Sequence, residues 1–237
     1  KGRLLYDYGH LRAAVKIFGQ VVARYSRQAS ARSAATLILD ALHRAGHEDE
    51  LLRWTKKLAK SPVATPKLKE SIRRIELSAR FRRASQASEK KKWARCVSGF
   101  LAIASQAPKS KWAPMAIHNA AICRREGKNP AAAVALWERL LRTYPRDALA
   151  QRARFVLAGL RHLAGRHADA ARLYERYAQG AAKGDRQVVS GLLYAVTVAV
   201  RKRKRRHAKA LVILLRRLAP HDGRALKQAQ ELLAKLR

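Results

Sequence analysis

A short motif returns along the chain at intervals near 40 residues, and this periodicity constrains the fold more than any other feature. It reads Gly9-His10-Leu11-Arg12-Ala13-Ala14-Val15-Lys16-Ile17-Phe18, then Gly127-Lys128-Asn129-Pro130-Ala131-Ala132-Ala133-Val134-Ala135-Leu136-Trp137, then Gly165-Arg166-His167-Ala168-Asp169-Ala170-Ala171-Arg172-Leu173-Tyr174. Gly46-His47-Glu48-Asp49-Glu50-Leu51-Leu52 is a looser copy. Gly9 and Gly46 are 37 residues apart, Gly127 and Gly165 are 38 apart, and the 81 residues from Gly46 to Gly127 make two periods. A hidden turn is therefore expected near residue 90, where Trp93 to Phe100 keeps the apolar spacing and Lys91 holds the glycine position. A sixth copy, Arg205-Arg206-His207-Ala208-Lys209-Ala210-Leu211, aligns with Gly165 to Ala171. A fixed period of this size marks stacked supersecondary units, none of which buries its apolar face alone.

Each unit reads as two amphipathic helices. Ile117, Ala120, Ala121 and Ile122 form one apolar face, and Val134, Leu136, Trp137, Leu140 and Leu141 another. The glycine between them is expected to end the first helix in a left-handed residue, where a Cβ is strained. Pro62, Pro108, Pro145 and Pro220 close second helices, because proline cannot continue them. No alternating strand pattern occurs. The expectation is an all-α chain of twelve to fourteen helices in about six pairs, forming one body over 1–237, with turns near 9, 46, 91, 127, 165 and 205 and a capping helix over 222–236.

These residues resemble the tetratricopeptide repeat family. Its pattern places a small residue in the first helix, glycine at the turn, alanine five positions later, an aromatic four beyond, and proline at the end. Here Ala120 and Ala158 match the small residue, Gly9 with Ala14, Gly127 with Ala132 and Gly165 with Ala170 match the turn, and Phe18 and Tyr174 match the aromatic, with Leu136 standing in for it once. Ala132 and Ala170 are accordingly expected where helices touch. The departures are a period of 36 to 45 residues against about 34 in the family, Lys91 and Arg205 in place of turn glycines, and Leu51 in place of alanine. The long period and the ending from Arg142 to Asp147 look like bacterial cell-envelope members. The resemblance implies a right-handed α-solenoid that binds a partner protein or peptide in a concave groove as a non-catalytic scaffold. It also implies a place in the envelope, periplasmic or outer-membrane associated, with the cytoplasm as the alternative.

Charge is the second unusual feature. The chain carries 52 Lys and Arg against 16 Asp and Glu, a net charge of +36, while 48% of its residues are hydrophobic. That apolar content supports a core despite the charge, and the charge itself points to an anionic partner: an acidic protein, an anionic envelope polymer, a lipid surface or nucleic acid. Tryptophan, tyrosine and phenylalanine make up only 6% and fall mostly at repeat-core positions, which weakens the nucleic-acid reading, since single strands stack on exposed aromatics. Lys90, Lys91 and Lys92 and the run Arg201-Lys202-Arg203-Lys204-Arg205-Arg206 sit at turns, and are the candidate anion-binding residues of a basic rim.

Nothing in the sequence assembles a catalytic or cofactor site. His43 with His47 and His162 with His167 straddle turns and lose helical register, and His10, His47, His167 and His207 are read as equivalent turn positions, so no metal is expected. Glu48-Asp49-Glu50 reads as acids placed against a helix N-terminus. Cys96 and Cys123 read as small core residues, with a disulfide as the alternative if the chain is exported. No apolar run reaches the roughly 18 residues of a membrane span, and no secretory leader is visible.

Overall fold

The structure, a computed structural model, describes residues 1–236; Arg237, the last residue of the body expected over 1–237, lies outside them. Thirteen helices and no strand occur among the described residues: α1 Gly2–Asp7, α2 Leu11–Arg24, α3 Ala29–Arg44, α4 Glu48–Ala59, α5 Pro66–Glu89, α6 Trp93–Gln106, α7 Trp112–Glu126, α8 Pro130–Thr143, α9 Ala148–Leu163, α10 His167–Gln179, α11 Arg186–Arg201, α12 Arg205–Leu218 and α13 Gly223–Ala234. The last falls inside the expected capping segment. Second helices α4, α6, α8 and α12 each stop before the proline that sequence assigned to that end. The chain forms two compact units, Lys1–Gly127 and Lys128–Arg237. Within each, every helix packs on its successor, and α3 on α5, α5 on α7 and α11 on α13 pack two apart.

The turns explain the repeat and correct its register. Within the helix pairs, left-handed residues stand at Gly9, Gly46, Lys91, Lys128, Gly165 and Arg203; Gly184, between α10 and α11, is left-handed too but lies outside this series. The expected positions 127 and 205 therefore shift to 128 and 203. At five of the six, the next amide reaches back into the last turn of the finished helix: His10 to Leu5 at 2.8 Å, His47 to Leu42 at 3.1 Å, Lys92 to Ala87 at 2.7 Å, Arg166 to Arg161 at 2.8 Å and Lys204 to Ala199 at 2.9 Å. These bonds satisfy carbonyls that the helix end leaves open. Gly127 itself has φ of −76°. Its missing side chain serves a close approach instead, because a Cβ there would stand 3.1 Å from the Cβ of Trp93. The six residues of the series are 37 or 38 apart except for the 45-residue step from Gly46 to Lys91. That step contains α5, which at 24 residues is the longest helix.

Counting five residues on from each of these six turn positions gives Ala14, Leu51, Cys96, Ala133, Ala170 and Ala208, every one of them without measurable exposure. Ala132, expected in this contact, is only half-buried; Ala133 takes the place. Nine residues on come Phe18, Thr55, Phe100, Trp137, Tyr174 and Val212. Trp137, not Leu136, thus holds the aromatic position of its repeat, and it is fully buried. The histidines are not equivalent: His10 and His47 cap helices, His167 opens α10 and His207 lies in the first turn of α12.

Two further expectations change. Cys96 and Cys123 are joined as a disulfide, with Cα atoms 6.3 Å apart, so the cysteines tie α6 to α7 rather than serving as free core thiols. The small-residue position brings Cys96 close to the neighbouring helix, which is the geometry a disulfide requires. The acids at the start of α4 do more than face a helix dipole. Glu48 is 5% exposed, and its Oε1 lies 3.0 Å from Nη1 of Arg82 on α5, while Arg82 also donates to the His43 carbonyl. That Oε1 accepts no hydrogen bond, so the link is coulombic. Asp49 meets Arg83 in the open at 3.2 Å.

Breaking a buried ion pair strands one charge, at a cost of about 3–5 kcal/mol. Arg82, about one-third exposed, can turn to water. Glu48→Ala is therefore expected to lower unfolding free energy by about 2 kcal/mol, and Asp49→Ala by less than about 1 kcal/mol. Chemical denaturation of the two variants checks this, and equal effects would contradict the buried role of Glu48.

Candidate anion-binding grooves

All nine basic residues singled out from sequence are exposed. Lys90 caps the end of α5, Lys91 is left-handed, and Lys92 precedes α6. In the second unit Arg201 ends α11, Lys202 caps it, Arg203 is left-handed, Lys204 precedes α12, and Arg205 and Arg206 open that helix. Each cluster belongs to its own unit. The two cations at the start of α12 face the positive end of its dipole, and none of the nine forms an ion pair among the described residues.

Only some of them surround a concavity. In the first unit a groove of about 450 Å³ runs between the second helices α4 and α6 and over the end of α5, lined by Arg80, Arg83, Lys90, Lys92 and Arg95. Its floor is small and apolar: Leu52, Ala84, Ala87, Gly99 and Ala102. The floor is narrow because α5 and α6 approach closely at Gly99, where a Cβ would come within 3.0 Å of the Cβ of Ala84. Arg80 is held by Glu76 at 2.6 Å and Arg83 by Asp49. Lys90, Lys92 and Arg95 have no acidic partner among the described residues, so their charge is available to a ligand. Sequence reasoning missed Arg95; the signal was its spacing of three from Lys92, which puts it in the first turn of α6 on the side of that N-cap residue.

The second unit has a smaller groove, about 210 Å³, between α10 and α12 over the end of α11. Ala168, Ala171, Ala195, Val198 and Ala199 floor it, and Arg172, Lys202, Lys204 and His207 rim it. Arg172 is bound to Asp169, whose carboxyl is held below the usual range mainly by that arginine and by Arg166. His207 lies 3.3 Å from Glu175. Lys202 and Lys204 have no acidic partner among the described residues. Lys91, Arg201, Arg203, Arg205 and Arg206 line neither groove.

A left-handed lysine or arginine is strained relative to glycine by about 1–2 kcal/mol, against a smaller entropic penalty for glycine. Lys91→Gly, Lys128→Gly and Arg203→Gly are each expected to stabilise the fold by about 1 kcal/mol. Thermal melts check this; a loss of stability at all three would show that the cationic side chains themselves support the turns.

Among the described residues no group of three or more His, Cys, Asp or Glu could hold a metal ion, and no helix is long and apolar enough to cross a membrane. Hairpins, small-residue contacts and basic grooves together define an all-helical hairpin-repeat protein. No protein-family model and no curated protein matches the chain. Similar solved structures include pilF of Pseudomonas aeruginosa, 16% identical over 99% of this chain and 94% of that one, with a TM-score of 0.43. YrrB, described as a TPR protein with an unusual peptide-binding site, is 14% identical over 90% and 97%, with a TM-score of 0.44. The C-terminal part of a TPR repeat-containing protein from Cytophaga hutchinsonii is 12% identical over 96% and 97%, also at 0.44.

Proposed function

We propose that this chain is a non-catalytic scaffold that holds an acidic partner protein, in an exported setting such as a bacterial envelope. The observation that carries the reading is the set of unneutralised cations, Lys90, Lys92, Arg95, Lys202 and Lys204, grouped over grooves with small apolar floors. Such a floor admits a polypeptide and the methylene stems of its acidic side chains. A nucleic-acid strand would call for stacking surfaces, and no phenylalanine, tyrosine or tryptophan lines either groove. The disulfide supports the exported setting, because such bonds persist in oxidising compartments.

The test compares an acidic 30-residue peptide, duplex DNA, single-stranded RNA and anionic vesicles in 0.15 M salt, where screening acts beyond about 8 Å. Retained binding of the peptide, with the other three lost or at least tenfold weaker, is the expected result. Tighter binding of DNA or RNA would replace the reading with a nucleic-acid one. Alkylation of the protein in cell extract without reductant tests the setting: both cysteines should be protected, and free thiols there would argue against export.

A further inference from the structure

Six lining residues of the first groove have a counterpart at the equivalent place in the second. Arg83, Gln86, Ala87, Lys90, Lys92 and Arg95 in the first unit correspond to Ala195, Val198, Ala199, Lys202, Lys204 and His207 in the second, each pair separated by the same 112 positions. The left-handed residues Lys91 and Arg203 keep that separation. The other wall agrees too. Leu52 lies six residues after the left-handed Gly46, and Ala171 six after Gly165. The same second helix, first helix and turn therefore build both concavities, and both place a lysine on each side of the left-handed residue.

We infer that the chain carries two copies of one binding site, each taking a short acidic stretch of polypeptide between neighbouring second helices. This rests on the acidic-partner reading. Lys90 and Lys92 in one groove, and Lys202 and Lys204 in the other, form a two-pronged clamp for carboxylates, while the alanine-rich floor contacts the peptide stems. The copies differ in strength for a physical reason. The first adds the unpaired Arg95 in a volume of about 450 Å³, whereas the second has His207 beside Glu175 in about 210 Å³. Glu175 competes for that ring and repels an incoming carboxylate. The first groove is the tighter site.

The experiment is a titration of the full chain with octaglutamate in 0.15 M salt, followed by amide NMR. Ala87, Gly99 and Ala102 report the first groove, and Ala171, Ala195 and Ala199 the second. Two saturable curves are expected, with the first groove at least threefold tighter. The double variant Lys90→Gln/Lys92→Gln should weaken the first curve at least fivefold and leave the second unchanged; Lys202→Gln/Lys204→Gln should do the reverse. Lys67→Gln/Lys69→Gln and Arg224→Gln/Lys227→Gln, exposed cations outside the grooves, serve as charge-matched controls, and circular dichroism verifies helicity. Response at one groove only, or equal weakening by the controls, would overturn the duplicated site while leaving the acidic-partner reading in place. No response at either groove would overturn both.

Discussion

Opening the Cys96–Cys123 disulfide is expected to lower unfolding free energy by about 3.5 kcal/mol. The cysteines are 27 residues apart in sequence, and closing a loop of that length removes roughly this much free energy of disorder from the unfolded chain. Their Cα separation of 6.3 Å lies within the range disulfides span without backbone movement. Both residues are buried, at 0% and 1% exposure, and Cys123 Sγ lies 3.6 Å from the Ser88 hydroxyl, so Cys96→Ala/Cys123→Ala also removes that weak contact, whereas reduction of the parent breaks the cross-link alone. Guanidinium denaturation of this variant, and of the parent with and without dithiothreitol, measures the effect. If the reductant leaves the midpoint of the parent unchanged, the bond contributes nothing and the exported setting loses its support.

Trp137→Ala is expected to cost about 3–5 kcal/mol, the other large effect. The indole is fully buried on α8, where its repeat places it nine residues after the left-handed Lys128. Truncation removes the largest fully buried side chain among the described residues and opens a cavity that helices restrained by their turns can only partly fill. Leu136→Ala, at a half-buried position, should cost about 1 kcal/mol. The pair of variants reads out the register of the repeat directly. If the leucine variant proves the more damaging, the turn belongs at Gly127 as the motif alone suggests, and the small-residue contact belongs at Ala132.

The hairpin architecture was legible because its causes are local. Apolar spacing of three and four, prolines at 62, 108, 145 and 220, and glycines at 9, 46 and 165 act within a turn or two of themselves, and each did what its chemistry requires. Even the hidden turn near 90 could be inferred, because a period imposes a position on a residue that is itself uninformative. The candidate site was legible only in part: the lysines at 90, 92, 202 and 204 were found as charge runs, but a run does not reveal which of its members borders a concavity.

The remaining features depended on packing between segments distant in sequence. Gly127 looked like a turn glycine, yet it is needed against Trp93, and the left-handed strain passes to Lys128; sequence offers both uses of glycine the same letter. Cys96 and Cys123 read as core residues until α6 and α7 brought their Cα atoms within bonding reach. Glu48 read as a helix-start acid until α5 laid Arg82 over it, and Arg95 became part of a site only when α4, α5 and α6 enclosed a groove. Sequence determined where helices begin, end and turn, since backbone sterics and hydrogen bonding settle those choices within a few residues. Local pairs such as Glu76 with Arg80 and Asp169 with Arg172 follow from helical spacing. Tertiary structure decided the pairing of Glu48 with Arg82, Asp49 with Arg83 and Glu175 with His207, since it depends on distances of a few ångströms between different helices, a scale on which coulombic energy changes most steeply.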